Sequence, residues 1–188
     1  MQKFVFGYGS LVNARTHDYP VLIPARLRGW RRAWRRTPHR DVAFLTAVSA
    51  PGSAIFGTLA PVAEADWEAL DARELAYDRH VLGSELTVLD GALPPGSEAV
   101  IYAIQPSDFQ HPTAQNPVIQ SYLDVVLNGY ETVFGAQGIA HFVETTDGWD
   151  APIFEDRATP RYPRSLEFSQ DALARYDAIL DGLDVTRI

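Results

Sequence analysis

No cysteine occurs among the 188 residues. That excludes a disulfide framework, a thiolate nucleophile and a Cys-ligated zinc. No apolar run is long enough to span a bilayer. A signal-peptide pattern is missing too, because a glycine turn cuts short the apolar Phe4-Val5-Phe6. These absences point to a cytoplasmic protein without membrane contact. The early glycines Gly7 and Gly9 are not followed by G-K-[ST] and do not continue as G-x-G-x-x-G, so they form neither a P-loop nor a dinucleotide fingerprint. His17, His39, His80, His111 and His141 show no ligand spacing, which argues for structural or surface roles and against a metal site. Ser10 lacks the G-x-S-x-G frame of a hydrolase elbow. With no repeat, low-complexity tract or linker, residues 1–188 are expected to form one domain with a sizeable core.

The hydrophobic share, 46%, is ordinary for a soluble globular protein. A net charge of -8 argues against nonspecific nucleic-acid binding by the whole chain. The charge is uneven, however. Arg26, Arg28, Arg31, Arg32, Arg35, Arg36 and Arg40 surround Trp30 and Trp34. Such a stripe could bind a single strand. The alternation of Leu27, Gly29 and Ala33 with arginines instead fits a half-solvated strand whose cations find carboxylate partners or draw in an anionic substrate.

Patterning predicts strands at Gln2–Tyr8 and Val21–Thr37, the second bent or bulged at Pro24 and Gly29. Val42–Val48 and Ala54–Leu59 are expected as two strands around an Ala50-Pro51-Gly52-Ser53 turn. A helix is expected over Glu64–Ala76, then strands at Val81–Leu89 and Glu98–Ile104. A long helix should begin at Pro117 and run through Phe134, with a short one at Gly138–Thr145. Gly148–Pro163 suits an ordered loop, and Ser169 suits the cap of a last helix. Strands first and helices later imply an α+β fold.

The most informative stretch is Phe4-Val5-Phe6-Gly7-Tyr8-Gly9-Ser10-Leu11, an apolar strand running into a two-glycine loop. Glycines there let a ligand approach the main chain, and successive N–H groups can form an anion-binding concavity. A tight turn after an edge strand is the plainer alternative. In the helix over Glu64–Ala76, at about 100° per residue, Glu74 falls about 20° from Trp67 and on the side of Leu70. A carboxyl on a buried face has a raised pKa, which suits proton transfer near neutrality. Alternatively Glu74 reaches water at the helix end or pairs with Arg73 or Arg79.

Phe-x-Tyr-Gly-Ser-Leu at the N-terminus, followed by Leu70-Asp71-Ala72-Arg73-Glu74, resembles the γ-glutamylcyclotransferase-like superfamily. The YGSL form is closer to its ChaC-type, glutathione-cleaving branch than to the branch with YGSN. The resemblance runs through Gly29-Trp30 and Tyr122 to about Gly129, and the segment after about residue 148 carries no match. Asn116-Pro117-Val118 departs from the Pro-Ser often found in the family. The resemblance implies a small mixed β-sheet curled into a barrel-like core with packed helices. It also implies a small γ-glutamyl substrate that cyclises to 5-oxoproline, with no cofactor, metal or nucleic acid. Glu74 then falls at the catalytic glutamate, and Tyr8, Gly9, Ser10 and Leu11 at the substrate loop. Tyr77, one turn after Glu74, and Tyr122 are further substrate-side candidates, with a core role the alternative for each. Asp71 is expected to be structural. Arg161-Tyr162-Pro163-Arg164 could close over a substrate carboxylate or be a surface loop. A non-catalytic binding or regulatory member of the same fold is the alternative function.

Overall fold

The computed structural model describes residues 2–37, 41–73, 77–104, 110–183 and 185–188. Six strands follow one another across the main sheet in the order β4-β6-β1-β3-β2-β5. They are β1 (Lys3–Gly7), β2 (Ile23–Arg35), β3 (Phe44–Val62), β4 (Tyr77–Leu82), β5 (Leu86–Val88) and β6 (Glu98–Ile104). β1 and β6 run parallel, while the other neighbours in this order are antiparallel, so the sheet is mixed. β4 and β5 are its opposite edges, yet only residues 83–85 join them. That connection reaches at most about 14 Å, so the sheet must curl until its edges meet. Trp30 of β2 and His80 of β4 accordingly touch, their ring centroids 5.9 Å apart.

Alternation along β1 divides the core. Phe4 and Phe6 join Leu27, Trp34, Ile55 and Ile101 inside the curl. Val5 points the other way, where helix α1 (Trp67–Arg73) covers it with Trp67 and Leu70. The expected Trp67–Leu70 face is therefore buried, both residues at 6% exposure. Helix α2 (Gln120–Glu144), kinked at Gly135, and helix α3 (Gln170–Asp181) pack on the main core. Ser169 caps α3 by accepting from the Ala172 N–H, as a serine before an amphipathic run should. The architecture is α+β, a barrel-like mixed sheet with packed helices.

Several expectations need correction. β3 is one strand of 19 residues and does not reverse at Ala50-Pro51-Gly52-Ser53. Both of its halves pair with β2: Arg28 faces Ala54 and Trp30 faces Ser49, leaving Gly29 opposite residues 50–53. Gly29 accommodates this bulge with φ of +81°, a conformation costly for a residue with a Cβ. The bulge also changes which side chains face inward. Ala25 and Leu27 are buried before it, but Arg32 and Trp34 after it. Arg32, expected on a solvated face, is therefore fully buried.

The expected strand at Val81–Leu89 is instead two. β4 pairs with β6, and β5 pairs with β2. Tyr77 opens β4 and does not continue a helix. Pro117 precedes strand β7 (Val118–Ile119), so α2 starts three residues later than expected. The segment before α3 adds two short strands. β8 (Thr146–Asp147) joins β2, and β9 (Ile153–Phe154) joins β7. No helix among the described residues is long and apolar enough to cross a membrane.

Candidate functional site

A cavity of about 270 Å³ opens at the end of β1. The whole Tyr8–Leu11 loop lines it, together with Leu70 of α1, Tyr77 of β4 and Tyr122 of α2. Residues from the start, middle and later part of the chain thus meet around one space. Glu74 lies outside the described residues. Its sequence neighbours Leu70 and Tyr77, four residues before it and three after, both line the cavity.

The loop is fastened from behind. The Tyr8 carbonyl oxygen accepts from Arg32 Nε at 3.1 Å and from the Tyr130 hydroxyl at 2.9 Å. The same guanidinium donates to Thr145 Oγ1 (2.7 Å), the Tyr130 hydroxyl (2.6 Å) and the Phe56 carbonyl. Among the described residues Arg32 pairs with no carboxylate, and the oxygens it donates to are neutral. Burial lowers its pKa, and Tyr130 partly offsets that shift. The Tyr8 hydroxyl donates to the Tyr102 carbonyl at 2.7 Å, tying the loop to β6 as well.

Past Gly9 the chain enters a 3-10 turn at Ser10–Val12, closed by Val12 N–H to Gly9 O (3.1 Å) and Asn13 N–H to Ser10 O (3.0 Å). Asn13 then donates to Val125 O at 2.9 Å and to Asn128 Oδ1 at 3.0 Å, which seats the turn on α2. A Cβ at Gly9 would stand 2.5 Å from the Tyr122 hydroxyl oxygen, so glycine is required by close approach. The Tyr122 phenol has its pKa raised by burial first, then by the nearby Tyr162 and Tyr8; a hydrogen bond from the Ser10 main chain opposes this. His17 also lines the cavity. Its Nδ1 accepts from the Tyr19 N–H (3.2 Å), which leaves Nε2 to donate to the Leu11 carbonyl (3.0 Å).

On the α1 side, Asp71 accepts from the Tyr102 hydroxyl and from Arg79 Nη1 at 3.1 Å. It ties the end of α1 to β6 and β4. Both Asp71 and Arg79 are about half exposed, so the ion pair itself contributes little. Burial first, then this bond to Asp71, raises the Tyr102 pKa.

Tyr162 and Arg164 also form part of the wall. Arg164 lines the cavity while remaining exposed, and Arg161 and Pro163 are exposed too. The buried Asp156 brings Tyr162 and Arg164 to the wall. Its oxygens accept from Ser121 N–H (2.7 Å), Ser121 Oγ (2.5 Å) and Arg161 N–H (2.8 Å). The Tyr162 N–H adds a bond to Ser121 Oγ at 3.3 Å. A carboxylate at the first turn of α2 is also favoured by the helix dipole. Arg164 brings a guanidinium to the cavity wall. Among the described residues no cluster of three His, Cys, Asp or Glu is placed to hold a metal ion.

No family model matches the chain, and no curated protein matches it in sequence. Solved structures do match its fold. A gamma-glutamyl cyclotransferase superposes with a TM-score of 0.60 at 12% identity, over 95% of this chain and 99% of its own. An uncharacterized protein from Homo sapiens gives 0.58 at 12% identity, over 94% and 98%. YkqA from Bacillus subtilis gives 0.54 at 15% identity, over 78% and 56%. At these identities the likeness establishes the fold: the chain has the fold of a gamma-glutamyl cyclotransferase.

Proposed function

We propose that the protein is a γ-glutamyl cyclotransferase that releases 5-oxoproline from a γ-glutamyl peptide or amine. One observation carries this reading. The Tyr8–Leu11 loop, Leu70, Tyr77 and Tyr122 line a single cavity, and Glu74 lies between two of them in sequence. The fold shared with a gamma-glutamyl cyclotransferase supports it. The YGSL form of the loop favours glutathione among the substrates.

In the reaction the substrate α-amino nitrogen attacks its own γ-carbonyl carbon. The new C–N bond closes the five-membered ring and the old one to the amine breaks. The attacking ammonium sheds two protons in becoming the ring N–H, and the leaving nitrogen takes up two in becoming an ammonium, so no net proton is released or consumed. In this scheme Glu74 takes a proton from the attacking nitrogen as base and gives one to the leaving nitrogen as acid, and solvent carries the other. The tetrahedral oxyanion needs donors already in place. The Tyr8 carbonyl is held by Arg32 and Tyr130. The planar trans peptide then turns the Gly9 N–H away from both of them. That N–H is our candidate oxyanion donor. Tyr122, against Gly9, would position the substrate, and Tyr77 would wall its γ-glutamyl portion.

The test is a panel of glutathione, γ-glutamyl dipeptides and γ-glutamyl amines incubated with purified protein, with 5-oxoproline measured. Release from at least one member, unaffected by EDTA and without nucleotide, is expected. Binding without release would instead favour a non-catalytic member of the fold.

A further inference from the structure

His141 stands behind the clamp that holds the glycine loop, and the proposed reaction gives it no role. Its ring lies against Phe56, with the centroids 4.0 Å apart. The Phe56 carbonyl accepts from both Arg32 and Tyr130, the two donors that also hold the Tyr8 carbonyl. The His141 carbonyl accepts from Thr145 Oγ1 at 2.5 Å, and Thr145 Oγ1 accepts in turn from Arg32 Nη1 at 2.7 Å. His141 therefore meets the clamp twice, through its ring at Phe56 and through its main chain at Thr145.

Nε2 of His141 is buried and has no hydrogen-bond partner among the described residues. A neutral ring leaves a bare acceptor there. A proton would make it a buried charge with nothing to accept it, which costs far more. The surroundings add to that penalty. β2 presents two cations, Arg32 and Arg26; α2 presents Glu144, which opposes them; β3 presents the Ala54 main chain, hydrogen-bonded to the ring. The residue as a whole is half-buried, so a charged ring is hydrated by leaving Phe56. We propose that His141 is a positioning residue: its neutral ring keeps the Arg32–Tyr130 clamp closed on Tyr8, and a proton on Nε2 opens the clamp and shifts the Gly9 N–H. The charged ring departs for water, and the Phe56 carbonyl and Thr145 move with it. Arg32 and Tyr130 then lose the partners that aim them at Tyr8. The proton comes from solvent, so the open form gains as pH falls through the folded pKa of His141, which burial and Arg32 hold below its ordinary value. The catalytic consequence rests on the cyclotransferase reading; the movement of the loop does not.

The experiment follows wild type and His141→Gln from about pH 8 to about pH 5, the range in which histidine titrates, with melting at each pH to confirm folding. NMR reads the His141 ring and the Gly9 amide. In wild type the amide should shift along the titration curve of the ring, and in His141→Gln that component should be missing. An amide that moves equally in both proteins overturns the proposal, as does a ring that stays neutral throughout with Gly9 unmoved. The second readout is kcat for 5-oxoproline release, each protein compared with itself at the alkaline end. Beyond any loss shared with His141→Gln, wild type should lose about tenfold per pH unit below the measured ring pKa, in kcat and not KM. A shared loss belongs to Glu74, and identical profiles overturn the proposal. If neither protein releases 5-oxoproline, the cyclotransferase reading fails, and the Gly9 resonance still decides whether His141 moves the loop.

Discussion

Arg32 Nε donates to the main-chain oxygen of Tyr8 at 3.1 Å, so a fully buried cation on β2 holds the loop that lines the cavity. The same side chain reaches the Phe56 carbonyl, Thr145 and Tyr130, and so joins the loop after β1 to β2, β3 and α2 at one point. Arg32→Met would leave the Tyr130 hydroxyl, with one proton, to serve both the Tyr8 and Phe56 carbonyls, so one buried acceptor loses its donor. At about 1–3 kcal/mol for an unsatisfied buried group, we expect a loss of about 2 kcal/mol or more in urea unfolding. Arg32→Lys should recover little, because a compact ammonium cannot span the fork of a guanidinium. A methionine variant within about 1 kcal/mol of wild type, well below that cost, would show that these bonds contribute nothing net.

The contact between Gly9 and Tyr122 gives a coupled pair. Gly9→Ala would set a Cβ 2.5 Å from the Tyr122 hydroxyl oxygen, whereas the next contacts are at 3.7 Å. Overpacking of this kind typically costs about 1–3 kcal/mol. In a Tyr122→Phe background the clashing oxygen is gone, so Gly9→Ala should cost distinctly less. Thermal melts of the four proteins give the coupling. Strict additivity would mean that the loop yields elsewhere.

His141 supplies a pH dependence. Burial first, then the charge of Arg32, lowers its pKa, with Glu144 and the Ala54 main chain acting against them and Arg26 with them. Nε2 has no partner among the described residues. The folded pKa lies below the unfolded value of about 6.5, so the unfolded chain takes the proton first as pH falls. This contribution to stability is whole above about pH 6.5 and is lost as pH drops toward the folded pKa. Urea midpoints measured across that range should fall less steeply for His141→Gln than for wild type. An unchanged slope would contradict the sign.

Local patterns made part of this legible. The apolar strand at β1, the cap at Ser169 and the Trp67–Leu70 face are each written within one short stretch. The buried Arg32 was not legible, because its inward turn follows from the bulge at Gly29 and from pairing with β3. Alternation alone put it in solvent. Tyr8–Leu11, Tyr77 and Tyr122 could be nominated from sequence, but the expected strand began only at Val81, whereas pairing with Ile104 makes Tyr77 a strand residue. The cavity position of Tyr162 and Arg164 depends on Asp156 meeting Ser121, thirty-five residues away, which no local signal records. His17 likewise enters the wall through its bond to the Leu11 carbonyl.

The most direct measurement is 5-oxoproline release by Glu74→Gln, with thermal melting alongside and Asp71→Asn as a neighbour control. Glutamine keeps the shape of the side chain but can neither take the proton of the substrate ammonium nor return one to the leaving amine. Turnover should fall roughly 10²–10⁴-fold, or about 3–5.5 kcal/mol of barrier, with little change in melting. Asp71→Asn, which alters a half-exposed tether, should fall far less. Turnover of Glu74→Gln within about threefold of wild type, far short of an acid–base loss, would remove Glu74 from the chemistry and contradict the proposed mechanism.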